Sequence, residues 1–479
     1  MRQGAEHERP EAGRKAVEGT AELMGKVLSR ENMLAAWKEV KANKGAPGVD
    51  GRDFEATWEH LKTNWETIRE ELQNGTYRPK PVLRVTIPKR DGGTRQLGIP
   101  TITDRLIQQS VARVIRPAME AQFSDHSYGF RPGRNAHQAV ARAAQYYDEG
   151  YHWVVDIDLK SYFDTINHDL LLIRLREVIK DERIVKLINR YLKAGVLEGG
   201  KVHATVSGSP QGGNLSPLLA NLYLTEFDRE LERRGHRFVR YADDVNIYAK
   251  SERGAKRIME SATRYLEKKL KLTVNQEKSQ VGDPTELKFL GFTLGNREAD
   301  ERRRAEQKKQ QKRKRLKGKL PPSGESSEAE TPRPQHDKTT IRIHPRSQER
   351  FRYEVRRRTK RRSGRSLADT LERLAKFTVG WLGYYARAEM EWWIGRASRW
   401  IRRRIRAIAL AQWATPVNVY HKLRASGVRH TLAWVCSRSL KGVWHTSHKM
   451  GNACLSNRLL ESWGYDDILV RYRKLHNYR

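Results

Sequence analysis

Residues 238–248 read Phe238-Val239-Arg240-Tyr241-Ala242-Asp243-Asp244-Val245-Asn246-Ile247-Tyr248. Apolar and aromatic residues on both sides of a short centre predict two strands around Ala242-Asp243-Asp244. Adjacent acids at a tight turn repel unless water or cations screen them. Alone, such a turn reads as an ordinary solvated hairpin. A second stretch gives it weight: Trp153-Val154-Val155-Asp156-Ile157-Asp158-Leu159, an apolar strand ending in carboxylates. Strand alternation puts Asp156 and Asp158 on one face, and Asp164 follows closely, so periodicity alone leaves all three in competition. Carboxylates on converging strand ends suit phosphoryl transfer. Two Mg²⁺ ions about 3.5–4 Å apart can clamp the attacking and leaving oxygens. Mg²⁺ takes carboxylate oxygens and fills its remaining positions with water and phosphate.

Outward from these strands, helices are expected over 168–179 and on to 192, 216–231 and 255–272, with a further strand over 287–294. Upstream, 30–78 is helical around the turn cluster Gly45-Ala46-Pro47-Gly48-Val49-Asp50-Gly51. Strands 82–87 and 95–99 flank Asp91-Gly92-Gly93, and helices follow over 104–123 and 136–147. Strands alternating with helices indicate an α+β or α/β layer fold. Residues 302–319 hold eleven Lys/Arg and a single acid, Glu306, and a Pro/Ser/Gly stretch follows. They read as a flexible basic linker or insertion. Beyond 341 the pattern is helical and basic. Trp393, Ala397, Trp400 and Ile408 make an apolar stripe; Arg396, Arg399, Arg403 and Arg406 make a basic one, suited to phosphates.

Composition narrows the partners. The chain has 479 residues, with 93 Lys and Arg against 57 Asp and Glu, a net charge of +36. That excess favours a polyanion, because phosphates neutralised by Lys or Arg release counterions. No stretch approaches the ~18 apolar residues of a membrane span, and the polar lead has no signal-peptide core. Two cysteines, Cys436 and Cys454, exclude a disulfide scaffold and a four-cysteine zinc site.

An ordered series of motifs now resembles the reverse transcriptases encoded by bacterial group II introns. Arg95-Gln96-Leu97-Gly98-Ile99-Pro100 with Asp104-Arg105, and Ser127-Tyr128-Gly129-Phe130-Arg131-Pro132-Gly133-Arg134, are similar to its fingers motifs. Asp158-Leu159-Lys160-Ser161-Tyr162-Phe163-Asp164 is similar to its first palm motif. Ser209-Pro210-Gln211-Gly212-Gly213 is similar to the motif of its nucleotide pocket, and Tyr241-Ala242-Asp243-Asp244 to its catalytic hairpin. Asn275-Gln276-Glu277-Lys278 and Phe289-Leu290-Gly291-Phe292 are similar to its last palm motifs. Ile343-His344-Pro345-Arg346-Ser347 and Gly380-Trp381-Leu382-Gly383-Tyr384-Tyr385 are similar to its thumb, the maturase domain X.

The resemblance implies an α+β right-hand polymerase: fingers and palm of reverse transcriptase type with a helical basic thumb. It selects Asp158, with Asp243 and Asp244, as catalytic residues and ligands of two Mg²⁺ ions, with Mn²⁺ able to substitute. It implies Lys278 as a catalytic acid beside the leaving pyrophosphate. It also implies Lys89, Arg95 and Gln211 as nucleotide-binding residues. Phe163 becomes a steric gate whose ring would clash with a ribose 2′-OH. The implied domains are a polar lead (1–29), an N-terminal extension (30–80), fingers and palm (81–298), a basic linker (299–340), the thumb (341–420), and a basic extension suited to DNA or RNA (421–479). The tail resembles that of endonuclease-less members. Without paired cysteines for the family's zinc-supported nuclease, second-strand cleavage is not expected, and the primer would come from elsewhere.

The implied partners are group II intron RNA, an RNA template with DNA primer, dNTPs and target DNA, with no membrane. The implied location is the bacterial cytoplasm, nucleoid-associated as a ribonucleoprotein. The expected function is RNA-directed DNA synthesis together with splicing and retrohoming of the intron. Two rival readings stand beside it: an RNA-binding splicing cofactor that needs no polymerase activity, and a free-standing reverse transcriptase used in host defence or repair.

Overall fold

The computed structural model describes residues 22–88, 93–209, 212–295, 339–361, 363–438, 442–449 and 451–477. The chain forms two compact units, 1–146 with 150–282, and 147–149 with 283–479.

The first unit opens with helices α1 (Met24–Val27), α2 (Arg30–Ala42) and α3 (Phe54–Gln73). Ser29 and Asp53 start the last two by accepting backbone N–H bonds from Asn32 and Ala56, which satisfies donors the helix leaves open. Strands β1 (Val82–Pro88) and β2 (Thr94–Ile99) pair antiparallel from Leu83↔Ile99 to Pro88↔Thr94. The tip between them, including Lys89, lies outside the described residues. α4 (Ile102–Glu120) and α5 (Ala136–Asp148) lead to β3 (Trp153–Ile157). Then come α6 (Tyr162–Thr165), α7 (His168–Val178), α8 (Glu182–Leu192), β4 (Val196–Glu198), β5 (Lys201–His203) and α9 (Ser216–Arg233). The unit closes with β6 (Arg237–Tyr241), β7 (Asp244–Ala249), α10 (Glu252–Lys268) and β8 (Gln280–Gly282).

Two four-stranded sheets result, in the orders β2-β1-β4-β5 and β6-β7-β3-β8. β3 is central in the second, antiparallel to both β7 and β8. Its alternation buries Val155 and Ile157 in a core shared with Ile107, Val111 and Ile115 of α4 and with Leu218, Leu222 and Phe227 of α9. The expected strand over 153–159 ends at Ile157, because Asp158 and Leu159 turn away to bond with residues 274–279.

In the second unit, β9 (Phe292–Gly295) pairs antiparallel with β10 (Thr340–Ile343). The strand expected over 287–294 is only its second half. Leu290 (φ 51) and Gly291 (φ 88) are both left-handed, and Phe289 and Phe292 exchange backbone bonds at 2.9 and 3.0 Å. This is a two-residue turn with positive φ at both centres, a type I′ hairpin geometry, and it breaks the run. Phe292 packs on Tyr384 and Tyr385, with ring centroids 5.3 and 5.1 Å away. Residues 289–295 build onto helix Leu367–Tyr385 and strand β10, and the compact units part between 282 and 283. Ser347 donates to the Gly291 carbonyl at 2.8 Å and Tyr384 to the Leu290 carbonyl at 2.8 Å. The Phe289–Phe292, Ile343–Ser347 and Gly380–Tyr385 motifs therefore converge on one turn. The expected linker of 299–340, with its 302–319 basic run, lies outside the described residues up to 338.

Helix Glu391–Trp413 corrects the basic stripe. Arg396 and Arg399 are exposed. Arg406 is buried, donating to the Leu455 carbonyl at 2.7 Å and to Asn457 Oδ1 at 2.9 Å. Position 406 is seven residues from Arg399 and so on nearly the same helix face, but residues 455–457 cover that face at 406, and burial pulls the Arg406 pKa down to about 10.

Candidate active site

The β6–β7 hairpin closes on the pair Tyr241↔Asp244, leaving Ala242 and Asp243 as the two turn residues. Ala242 is left-handed at φ 59, a conformation that a residue with a Cβ adopts only when its surroundings enforce it. Asp243 is thereby presented at the tip, and Asp244 begins β7 on the exposed side. Asp158 follows the neighbouring strand β3. Its N–H donates to Ser279 Oγ at 3.0 Å, and its carbonyl accepts from Asn275 N–H at 2.8 Å. The 273–279 segment thus straps Asp158 in place and brings Lys278 Nζ to 3.9 Å from Asp158 Oδ2.

Burial raises the Asp243 pKa above the ordinary carboxylate range. The charge of Asp158 raises it further, while Arg95 and Arg240 pull it down. The hairpin carboxylate therefore senses both Asp158 and the expected triphosphate-gripping arginine on β2. Arg95, exposed on its strand, also lowers the pKa of Asp164, which burial raises first. Asp156, the competitor on the same face, has another occupation: Asn246 Nδ2 of β7 donates to it at 2.9 Å.

Phe163 is half-buried in α6, just after Ser161, which is left-handed at φ 49. Its carbonyl accepts from Ser209 N–H at 2.7 Å. Gly208 (φ 88) runs so close to residue 164 that a Cβ would lie 2.8 Å from Asp164 Cα. The loop before Gln211 is therefore laid against the Phe163 turn. Lys89 and Gln211 themselves lie outside the described residues. Gly212 (φ 130) is described, and a Cβ there would stand 2.4 Å from the Gly98 carbonyl oxygen of β2. Only glycine permits that approach.

Among the described residues, no group of three or more His, Cys, Asp or Glu side chains converges tightly enough to form a ready-made metal cage. The donors present still fit a hard divalent cation. Mg²⁺ needs only one or two carboxylates when water and substrate phosphates supply the remaining oxygens. Asp158 and Asp243 supply two mutually repelling carboxylates whose charge such an ion would relieve.

Sequence reasoning missed the support under this hairpin: Arg240 and Asp228, fully buried, with Asn221 and Gly129 beside them. A signal was present. Arg240 interrupts an apolar strand pattern, and Asp228 interrupts the apolar helix 216–231.

Carboxylates on adjoining strand ends, an arginine-bearing hairpin and a glycine-permitted loop form an arrangement compatible with metal-assisted phosphoryl transfer. Residues 87–294 match the family model for reverse transcriptase (RNA-dependent DNA polymerase), and residues 348–427 match that for the group II intron maturase-specific domain. Protein YkfC of Escherichia coli is 34% identical over 313 residues, covering 57% of this chain and 82% of that protein. The group II intron-encoded protein LtrA of Lactococcus lactis is 32% identical over 334 residues, covering 56% of this chain and 55% of its own length. The chain belongs to the family of group II intron-encoded reverse transcriptases and maturases, and it spans about half the length of LtrA. Reverse transcriptases generally use divalent metals. No helix among the described residues is long and apolar enough to cross a membrane.

Proposed function

We propose that this chain copies RNA into DNA at the β3/β6–β7 carboxylates and binds intron RNA to assist its splicing and retrohoming. The observation that carries this reading is geometric: Asp158 follows the end of β3, Asp243 sits in the turn that leads into the adjoining strand β7, and Lys278 Nζ stands 3.9 Å from Asp158 Oδ2. Asp158, Asp243 and Asp244 would hold two Mg²⁺ ions. When bound, these supply activation of a primer 3′-OH and stabilisation of the departing pyrophosphate.

The chain's own groups do the rest. Arg95, with Lys89, offers cationic donors for a triphosphate. Lys278, 3.9 Å from Asp158, would pass a proton to the leaving group. Phe163 excludes the ribose 2′-OH by shape, and the Gly212 approach to Gly98 seats the loop bearing Gln211. The exposed arginines of helix Glu391–Trp413 offer a phosphate-binding face for intron RNA or a template–primer duplex.

Primer extension on an RNA template with dNTPs and Mg²⁺ tests the reading, wild type against Asp243→Asn. Loss of extension in the variant with RNA binding retained supports it. Tight RNA binding with no extension by the wild type refutes the polymerase and leaves a splicing cofactor.

A further inference from the structure

A fully buried ion pair lies behind the carboxylates, with both side chains 0% exposed. Arg240 donates through Nη2 to Asp228 Oδ2 at 2.5 Å and through Nε to Oδ1 at 2.8 Å. Buried pairs seldom stabilise a fold better than apolar residues of similar size would. The third nitrogen of the guanidinium reaches beyond the pair. Arg240 Nη1 donates to the Ala242 carbonyl at 3.0 Å and to Asn221 Oδ1 at 2.9 Å. Asn221 Nδ2 in turn donates to the Gly129 carbonyl at 2.8 Å.

The same place is clamped through the backbone. Tyr128 N–H donates to the Arg240 carbonyl, and Arg240 N–H to the His126 carbonyl, each at 2.9 Å. Gly129 lies so close that a Cβ would stand 2.4 Å from Ala242 N. Three independent constraints thus meet at one strained residue, immediately before Asp243.

We propose that Arg240 is a positioning residue: neutralised by Asp228 and oriented by Asn221, it captures the Ala242 carbonyl and holds the left-handed turn that aims Asp243 at a divalent cation. The inference rests on the polymerase reading above for the identity of the cation site. It adds that the aim of Asp243 is set by a buried guanidinium on the far side of the turn and by the glycine that abuts it.

The test uses the full-length protein with Arg240→Lys and Gly129→Ala. Lysine keeps the charge beside Asp228 but cannot also reach the Ala242 carbonyl and Asn221. The added methyl pushes the turn while leaving the ion pair intact. Four quantities are measured: thermal stability, RNA binding, Mn²⁺ binding to the free protein by electron paramagnetic resonance, and the Mg²⁺ concentration for half-maximal primer extension. In whichever variant folds and binds RNA, Mn²⁺ affinity is expected to fall about tenfold and the Mg²⁺ requirement to rise in step. Folded variants whose Mn²⁺ affinity and Mg²⁺ requirement match the wild type would overturn the proposal, even if activity falls with stability. If the wild type makes no cDNA, the polymerase reading fails by itself, and Mn²⁺ affinity still decides whether Arg240 positions a cation site.

Discussion

Asn246 of β7 donates its side-chain amide to Asp156 of β3 at 2.9 Å across the antiparallel pair Asp156↔Asn246. The acid it holds is the neighbour, two residues upstream, of the proposed metal ligand Asp158. Burial pushes the Asp156 pKa up to about 6, against bonds from Gln280 and Asn246 that lower it and the charge of Asp158 that raises it. A carboxyl whose pKa is raised on folding contributes stability that is complete below the unfolded pKa of about 4 and is lost as pH rises through 6. Asp156→Asn is therefore expected to stabilise the protein at pH 7.5 by about 1–3 kcal/mol and to flatten the stability profile between pH 4 and 7. Thermal melts across that range check it; a variant less stable at pH 7.5 would contradict the assignment.

Phe163→Val should relax discrimination against ribonucleotides. Its turn is the one against which residues 208–209 are laid, and a smaller side chain would remove the proposed clash with a 2′-OH rather than a bond. Selectivity for dNTP over rNTP, taken as the ratio of kcat/KM values, is expected to fall by about tenfold or more, with dNTP incorporation largely kept. An unchanged ratio would make Phe163 a packing residue.

Gly291→Ala should destabilise the second unit. Its φ of 88 strains any residue with a Cβ, and the new atom would lie 2.5 Å from Tyr385 Oη. A loss of about 1–3 kcal/mol is expected. Adding Tyr385→Phe should recover part of it by removing the clashing oxygen while the backbone strain remains. Differential melting of the three proteins separates the two contributions.

Arg396→Ala with Arg399→Ala should reduce the salt dependence of RNA binding. Both are exposed on helix Glu391–Trp413, and the Arg396 guanidinium rests 4.7 Å from the centre of the Trp392 ring. If each contacts one phosphate, the slope of log K against log salt becomes shallower by about 0.7–0.9 per arginine. Arg406→Ala should act differently, lowering stability with little change in slope, because that guanidinium is enclosed against Leu455 and Asn457.

Much of this is legible in the residues themselves. Apolar and aromatic runs, one ending in carboxylates and two flanking Ala242-Asp243-Asp244, located β3 and the β6–β7 hairpin, because strands buried at the centre of a sheet need such runs. The ordered motifs brought Asp158, Asp243 and Lys278 together although 120 positions separate Asp158 from Lys278. Three features stayed hidden. The turn at Leu290-Gly291 needs left-handed φ at a leucine, which local preference argues against and the hydroxyls of Ser347 and Tyr384 enforce. Arg406 has the spacing of a surface arginine, and only the tertiary packing of residues 455–457 encloses it. The Arg240–Asp228 pair joins a strand to a helix, and no periodicity within either element announces that their charges meet.

The contact between Gly98 and Gly212 carries a mechanical consequence. Two main chains touch there with no side chain to cushion them. One belongs to the β1–β2 hairpin that bears Arg95, the other to the loop that bears Gln211. Such a contact behaves as a bearing surface: the hairpin cannot bend toward the loop without driving it. A single added methyl at position 212 would act as a wedge between them, altering the mouth of the site without touching any group that carries charge.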